Sequence, residues 1–188
     1  MKKRRSLYIV LAAVAVALGT MISQLGTATS ATSAPTSTSH SFYVTLYGWP
    51  DNSPPGADIA YPKSDGNPTI HNSAGGSGTY SNPITYATDK AELPIGTKVY
   101  YSYLKRYFIM EDDCVECDQD WTGHGPDGGP RFYHIDLWVG GKGGNTSKVI
   151  DCEDNLTQTG TVIINPPSNE PVSTTPLFNS STNQCYSP

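Results

Sequence analysis

Turn-forming residues recur so often along the chain that only short segments of regular structure fit between them. Its 188 residues include 18 glycines and 15 prolines. Short runs rich in β-branched and aromatic residues alternate between them as strands do, at 42–49, 98–103, 107–110, 132–139 and 159–164. A further short strand is predicted at 148–152, and helical turns only at 89–92 or 151–156. The pattern predicts an all-β single domain, a closed barrel with long loops.

The first residues predict export from the cell. A basic start, Lys2 to Arg5, precedes the apolar run 7–18, and small residues follow as cleavage candidates. We therefore expect a signal peptide at 1–34, a Ser/Thr-rich linker at 35–41 and an extracellular domain at 42–188 that ends in an extended Pro-rich tail. No later segment is long and apolar enough to cross a membrane, so no membrane contact is expected after signal cleavage.

The net charge limits the classes of molecule that the chain is expected to bind. Removing the signal peptide takes away four of the twelve basic residues and none of the seventeen acids, which changes the net charge from -5 to 8 − 17 = -9. Such an acidic chain is a poor nucleic-acid binder and gains no electrostatic attraction to acidic polymers. Neutral or amphoteric glycans stay open as partners, and a monomer is expected.

Four cysteines, at 114, 117, 152 and 185, are even in number and allow three pairings. In an oxidising compartment they predict two disulfides, for which we favour Cys114 with Cys117 and Cys152 with Cys185. A C-x-x-C motif in the cytosol would suggest redox or zinc chemistry, but the second ligand pair of a zinc site is missing. We expect neither a metal nor a cofactor.

Four short motifs occur in a fixed order: Thr45-x-Tyr47-Gly48, Leu93-Pro94-x-Gly96-Thr97-x-Val99, Asp112 ahead of Cys114, and His134-Ile135-Asp136-Leu137. In residue type and order, the set resembles the superfamily of rare lipoprotein A, barwin, the expansins and the family 45 endoglucanases. The resemblance covers 42 to about 165. It implies a six-stranded double-psi β-barrel and a polysaccharide partner.

The resemblance also implies catalytic residues. The aspartate of the "H-F-D-L" motif is the general acid of family 45 endoglucanases, and Asp136 matches it. Its apolar neighbours suit a proton donor, because burial raises the pKa of a carboxyl. Cleavage with inversion needs a second carboxylate across the bond. Asp112 is the first choice for this base, Asp51 the second and Asp89 a distant third.

Five further residues are predicted to bind substrate: Thr45, Tyr47, Trp49, Trp121 and His134. Trp49 and Trp121 would stack against a sugar ring. The Tyr47 hydroxyl and the Asp136 carboxyl are predicted to lie within one hydrogen bond or one bridging water of each other.

The long loops resemble those of secreted microbial muramidase-like proteins. The leading prediction is therefore a secreted glycoside hydrolase acting on peptidoglycan. The alternatives are an endoglucanase on β-1,4-glucan and a non-catalytic, expansin-like protein that loosens walls. A protease inhibitor ranks third, because no loop resembles a reactive site.

Overall fold

The computed structural model of the protein describes residues 36–188. The predicted signal peptide at 1–34 lies outside the described residues, as does the first residue of the predicted linker. Among the described residues, no helix has the length and apolar character needed to cross a membrane.

Six strands close into a barrel in the order β1-β5-β2-β4-β3-β6. They are β1 (Thr38–Tyr47), β2 (Ile84–Ala87), β3 (Lys98–Tyr101), β4 (Arg106–Asp112), β5 (His134–Trp138) and β6 (Gln158–Ile164). Two helices, α1 (Val115–Thr122) and α2 (Thr146–Leu156), a 3-10 turn (Lys63–Asp65) and a small sheet of β7 (Phe178–Asn179) and β8 (Gln184–Cys185) complete the described part. The predicted all-β, six-stranded barrel is confirmed. The pairs β1–β5 and β2–β4 are parallel, and the other neighbours are antiparallel.

The two-residue period of the strands separates the core from the site. In β1 and β5, one set of alternate residues is fully buried inside the barrel: Phe42, Val44, Ile135 and Leu137. The residues between them, such as Thr45 and Asp136, point to the outer face. Polar side chains can therefore lie on the outer face of the barrel without interrupting its core.

Several local predictions need correction. Strand β1 begins at Thr38 rather than at 42, because Thr38 already pairs with Ile164 of β6. Residues 148–152, predicted as a strand, belong to α2. This helix buries residues spaced three, four and seven apart, namely Val149, Cys152, Glu153 and Leu156, and Asn145 caps its start. The loop predicted at 118–130 begins inside α1, which Cys114 caps.

Both favoured disulfides, Cys114–Cys117 and Cys152–Cys185, are present. The second joins α2 to the C-terminal tail. The tail is also held against the barrel by hydroxyls of Tyr100 and Tyr107, which donate to the carbonyls of Pro171 and Pro167, both at 2.6 Å. The buried guanidinium of Arg106 donates to further tail carbonyls, those of Ser173 and Thr175.

Candidate active site

The strand register brings the predicted acids into one row on the outer face. Thr45 of β1 pairs with Asp136 of β5, Asp136 pairs with Ala87 of β2, and Ala87 pairs with Asp112 of β4. All four line a cavity of about 780 Å³. Since neighbouring strands lie about 4.8 Å apart, the Cα atoms of Asp136 and Asp112 are about 10 Å apart. Ala87 between them carries only a methyl group, so the floor between the two carboxyls stays low.

A bulge in β4 determines which acid joins this row. Tyr86 pairs with Met110 but Ala87 pairs with Asp112, so Glu111 is the extra residue. Its carboxylate accepts hydrogen bonds away from the cavity, from the backbone of Ile70 and His71 (2.8 and 2.9 Å), from His71 Nδ1 (2.6 Å) and from Thr85 Oγ1 (2.9 Å). Although burial raises the pKa of Glu111, these donors outweigh it and hold the pKa below its ordinary value.

Asp136 is in the opposite electrostatic situation. Its carboxyl is partly exposed on the cavity floor, and Thr45 Oγ1 is its hydrogen-bond partner at 2.8 Å. Loss of hydration by burial raises the pKa of Asp136 to about 7, a rise that the Thr45 hydrogen bond opposes and the charges of Asp51, Glu116 and Asp112 reinforce. A carboxyl that is protonated near neutral pH and faces a cavity can deliver a proton.

Asp112 is held more firmly. Its Oδ2 accepts from the Tyr47 hydroxyl at 2.8 Å, and its Oδ1 accepts from the backbone N–H groups of Ala60 at 2.8 Å and Asp113 at 3.0 Å. Burial raises the pKa of Asp112 in spite of these three donors. The bonds fix the direction of the carboxylate toward the cavity.

Of the two predicted links between Tyr47 and Asp136, the direct hydrogen bond is not formed, since the Tyr47 hydroxyl donates to Asp112, and the link through one bridging water stays a prediction. The reason lies in the register: Thr45 is directly opposite Asp136, so its short side chain makes that bond, and the longer Tyr47 reaches Asp112. Tyr47 is 8% exposed and its ring packs against Trp138, with 5.2 Å between centroids. It is therefore both a core residue and part of the cavity lining.

Asp51 lines the same cavity from the loop after β1. Its Oδ1 accepts from the backbone N–H of Gly48 at 2.8 Å. Behind it lies Glu153 of α2, which is 4% exposed and whose pKa burial and the Asp51 carboxylate raise to about 9. Glu153 is thus neutral near pH 7. A Cβ at Gly48 would lie 2.6 Å from Glu153 Oε1 and 2.9 Å from the backbone oxygen of Gly140, so this approach requires glycine.

Sequence reasoning did not name Glu153 as a site residue, although it placed Glu153 in a possible helical turn at 151–156. The signal that could have found it is the helical spacing of the buried α2 residues.

His134 does not line the cavity but lies behind Thr45. Its Nε2 is 2.9 Å from Thr45 Oγ1, and its Nδ1 is 2.8 Å from Asp120 Oδ2. Both His134 and Asp120 are buried, at 1% and 0% exposure. Sequence reasoning also missed Asp120, because it lies in a segment that was predicted to be a polar loop.

Two groups of side chains in the described part resemble metal ligands by spacing. One contains Cys114, Cys117 and His134, but its thiols form a disulfide. The other contains Asp120, Asp127 and His134. In this group Asp120 and His134 are already hydrogen-bonded to each other. Neither group therefore offers a free set of donors.

The two tryptophans predicted to stack on sugar lie outside the cavity lining. Trp121 is 9% exposed, because α1 turns it inward against Tyr133 and beneath the Arg131 guanidinium. Trp49 is half-buried under the Lys142 ammonium, 4.7 Å from its ring centroid. Asp89 is also outside the lining, where its carboxylate accepts from the backbone of Ala91.

Comparison with known proteins gives a family. A family model described as the DDB_G0273701 N-terminal domain matches residues 39–186, which include the whole site, nearly all of β1 and the tail through β8. The chain belongs to this family. A Dictyostelium discoideum protein, named uncharacterized protein DDB_G0273701/DDB_G0273221, is 44% identical over 143 residues, which are 76% of this chain and 58% of that protein. The chain thus spans less than three-fifths of the length of this curated relative. No solved structure matches the chain.

Proposed function

We propose that the protein is a secreted glycoside hydrolase that cleaves a β-1,4-linked cell-wall polysaccharide, with Asp136 as its general acid. The observation that carries this proposal is a carboxyl with a pKa of about 7 on the floor of an open cavity. A second oriented carboxylate, Asp112, faces the same cavity two strands away.

The spacing favours inversion. Inverting enzymes separate their carboxyls by roughly 6.5–9.5 Å to admit water, whereas retaining enzymes hold them about 5–5.5 Å apart. Asp136 and Asp112 lie two strands apart with only the methyl group of Ala87 between them, which leaves room for a water molecule as in an inverting enzyme. Asp112 is the first candidate for the base. Asp51 is the second candidate. The charge of Asp51 raises the pKa of Asp136 more than the charge of Asp112 does.

The lining of the cavity favours an uncharged or amine-bearing glycan. Six acids line it and neither lysine nor arginine does; the acids are Asp51, Asp58, Asp112, Asp113, Glu116 and Asp136. An anionic polymer would be repelled by this set. Peptidoglycan, which carries both amines and carboxylates, is the leading substrate, and β-1,4-glucan is the second.

The test measures new reducing ends from peptidoglycan, cellulose and chitin with the native protein and Asp136→Asn. We expect Asp136→Asn to lose about 10²–10⁴-fold in rate, because general acid catalysis contributes that much. Asp65→Asn, an exposed acid outside the cavity lining, is the matched control and should retain nearly all of the activity. Full activity in Asp136→Asn would refute the role of Asp136, and no cleavage of any polymer by the native protein would refute the enzyme itself.

The base can be assigned in the same assay. Asp112→Asn and Asp51→Asn are compared with and without azide, which replaces the missing base as nucleophile in inverting enzymes. The variant that is nearly inactive and yields a glycosyl azide lacks the base.

A non-catalytic, expansin-like protein that binds and loosens walls is the second candidate. One observation favours it: Asp112 already accepts three hydrogen bonds, which occupy lone pairs that a catalytic water would need. This reading predicts retention on insoluble wall polymer with no soluble product by mass spectrometry. It also predicts that Asp136→Asn weakens that retention.

A further inference from the structure

Helix α2 brings a second carboxyl up to Asp51 from behind the cavity wall. Glu153 lies on the buried face of α2 and is 4% exposed. Its carboxyl is in hydrogen-bond contact with the carboxyl of Asp51, which lines the cavity. Glu153 is not part of that lining, so a molecule in the cavity can contact Asp51 but not Glu153.

The backbone at Gly48 makes this contact possible. The Gly48 N–H donates to Asp51 Oδ1 at 2.8 Å, which fixes one oxygen of that carboxyl. The missing side chain leaves space for the other partner, because a Cβ at Gly48 would lie 2.6 Å from Glu153 Oε1. Since α2 also packs against β1, the two carboxyls are held together by elements of the barrel wall.

The lack of donors around Glu153 indicates that its carboxyl is protonated. Its Oε1 is buried, and among the described residues no N–H or O–H group donates to it. A buried carboxylate without donors loses its hydration and gains nothing in return, and a second carboxylate in contact makes this worse. In agreement, burial followed by the charge of Asp51 raises the pKa of Glu153 to about 9.

A protonated Glu153 needs an acceptor, and Asp51 provides it. A carboxylic acid has one O–H group to donate, whereas a carboxylate only accepts. Asp51 is exposed to the cavity and already accepts from the Gly48 N–H, so the negative charge of the pair is placed on Asp51. Two donors from different elements then hold the Asp51 carboxylate in one orientation.

We propose that Glu153 is a positioning residue: as a carboxylic acid it donates a hydrogen bond to the Asp51 carboxylate and holds that charge in the cavity that also contains Asp136. The catalytic meaning of this role rests on the proposed function. The hydrogen bond between Glu153 and Asp51 does not.

The charge that Glu153 holds in place acts on the proposed general acid. After burial, which is the main cause, Asp51 is the charge that raises the pKa of Asp136 most, ahead of Glu116 and Asp112. A proton donor must stay protonated until the substrate is bound. A negative charge fixed at Asp51 therefore extends the pH range over which Asp136 can act, whether Asp112 or Asp51 is the base.

Other acids surround the pair, and no cation neutralises it. Asp136 on β5 and the exposed Asp154 on α2 raise the pKa of Glu153 further. Within residues 36–188, no lysine, arginine or histidine forms an ion pair with Glu153 or Asp51. The neighbouring charges thus all favour the protonated form of Glu153, so the test must keep Asp136 and Asp154 unchanged.

The first test follows the carboxyl-carbon NMR shifts of Glu153 and Asp136 with pH in the full chain. In the native protein Glu153 should stay neutral up to about pH 9. In Asp51→Asn the midpoints of both curves should fall by about one pH unit or more, because the same charge is removed from both. Asp151→Asn, which changes an exposed acid on the same helix, is the control and should leave both curves in place.

The second test separates positioning from a merely structural role. Glu153→Gln keeps a neutral group whose N–H can donate to Asp51, so it should keep the Asp136 curve and the basic limb of the hydrolysis profile. Glu153→Leu fills the same space without a donor and should move both to lower pH by about half a unit or more. If Glu153→Leu does not fold, the unbranched Glu153→Met replaces it and must cause the same shift.

The outcomes distinguish this inference from the proposed function. A Glu153 midpoint near the ordinary value of 4.5, or one that Asp51→Asn leaves unmoved, would overturn the hydrogen bond. Displaced curves without cleavage of any polymer refute the enzyme and keep the hydrogen bond. Cleavage that depends on Asp136 but has the same pH profile in Glu153→Gln and Glu153→Leu refutes the positioning role and keeps the enzyme.

Discussion

Glu111 and Asp136 are both carboxyls on barrel strands, yet their surroundings push them in opposite directions. Glu111 receives two backbone N–H donors, a histidine and a hydroxyl, and its pKa is lowered. Asp136 receives one hydroxyl, and its pKa is raised to about 7. Burial acts to raise the pKa in both. Two things make the difference. Loop 61–75 supplies three of the four donors to Glu111, whereas Asp136 has a single donor and lies among the charges of Asp51, Glu116 and Asp112, which raise its pKa further.

The largest expected effect comes from removing the charge of Glu111, the carboxylate with four hydrogen-bond donors. Glu111→Gln leaves His71 Nδ1 and two backbone donors without an ionised acceptor in a fully buried position. We expect unfolding free energy to fall by about 3–5 kcal/mol, as when one member of a buried charged pair is removed. Urea unfolding at pH 6 measures it, and exposed Glu116→Gln should change the value by less than about 0.5 kcal/mol.

The pH dependence of this pair has a definite sign. Because the pKa of Glu111 is lowered on folding, its contribution is present above the ordinary value of 4.5 and is lost as the pH falls through the folded value. Because the pKa of His71 is raised, mainly by its hydrogen bond to Glu111, its contribution is present below the ordinary value of 6.5 and is lost as the pH rises through the folded value. The difference between native and Glu111→Gln should therefore be greatest between these values. A difference that keeps growing toward pH 8 would contradict the pairing.

An effect on stability of intermediate size and opposite sign is expected at Asp136, the carboxyl with one hydrogen-bond donor. The raised pKa of Asp136 means that its contribution to stability is present at low pH and lost as the pH rises from about 4 to about 7. Asp136→Asn removes this loss and should stabilise the protein by about 1–2 kcal/mol at pH 8. This is less than the roughly 4 kcal/mol that three pKa units correspond to, because the partly exposed carboxyl is screened by solvent. At pH 4 the two proteins should unfold at nearly the same urea concentration. Destabilisation at both pH values would show that the charge of Asp136 is well compensated.

The smallest effect is expected at Glu153 at low pH. Below pH 4.5 the Glu153 carboxyl is neutral in both the folded and the unfolded chain, so Glu153→Gln replaces one neutral group with another of the same shape. We expect a change below about 0.5 kcal/mol at pH 4, and a gain for the variant that grows as the pH rises from 4.5 to about 9, because only the unfolded native chain ionises Glu153 in that range. Thermal unfolding at pH 4 and pH 9 checks both. A variant that gains nothing between these pH values would mean that Glu153 is ionised beside Asp51.

The strands of the barrel could be predicted because their alternation is local. The runs 98–103, 107–110 and 132–139 all contain or overlap observed strands. Only the second half of helix α2 was predicted, as a possible helical turn at 151–156, because a glutamate at the buried position 153 hid the apolar spacing. Burial of that glutamate depends on Gly48 and Asp51 from another part of the chain.

The candidate site also has a part that the sequence predicts and a part that it does not. Asp136, Asp112 and Asp51 could be named from motifs, and all three line one cavity. Which hydroxyl meets which acid depends on register and on the bulge at Glu111, and neither leaves a mark on the sequence. The inward turn of Trp121 likewise follows from α1, a helix whose short amphipathic pattern was obscured by the acids around it.

The position of β1 in the barrel has a consequence for biosynthesis. Its two partners are β5 and β6, and Thr38 pairs with Ile164, near the end of the last barrel strand. A nascent chain must therefore carry an unpaired first strand until β5 has left the ribosome, and one edge of β1 stays open until β6 follows. Such distant pairing slows folding and leaves strand edges open to other chains in the meantime. Fragments that end before β6 are expected to aggregate instead of forming half a barrel, so truncation mapping of this protein should begin from the tail beyond Ile164.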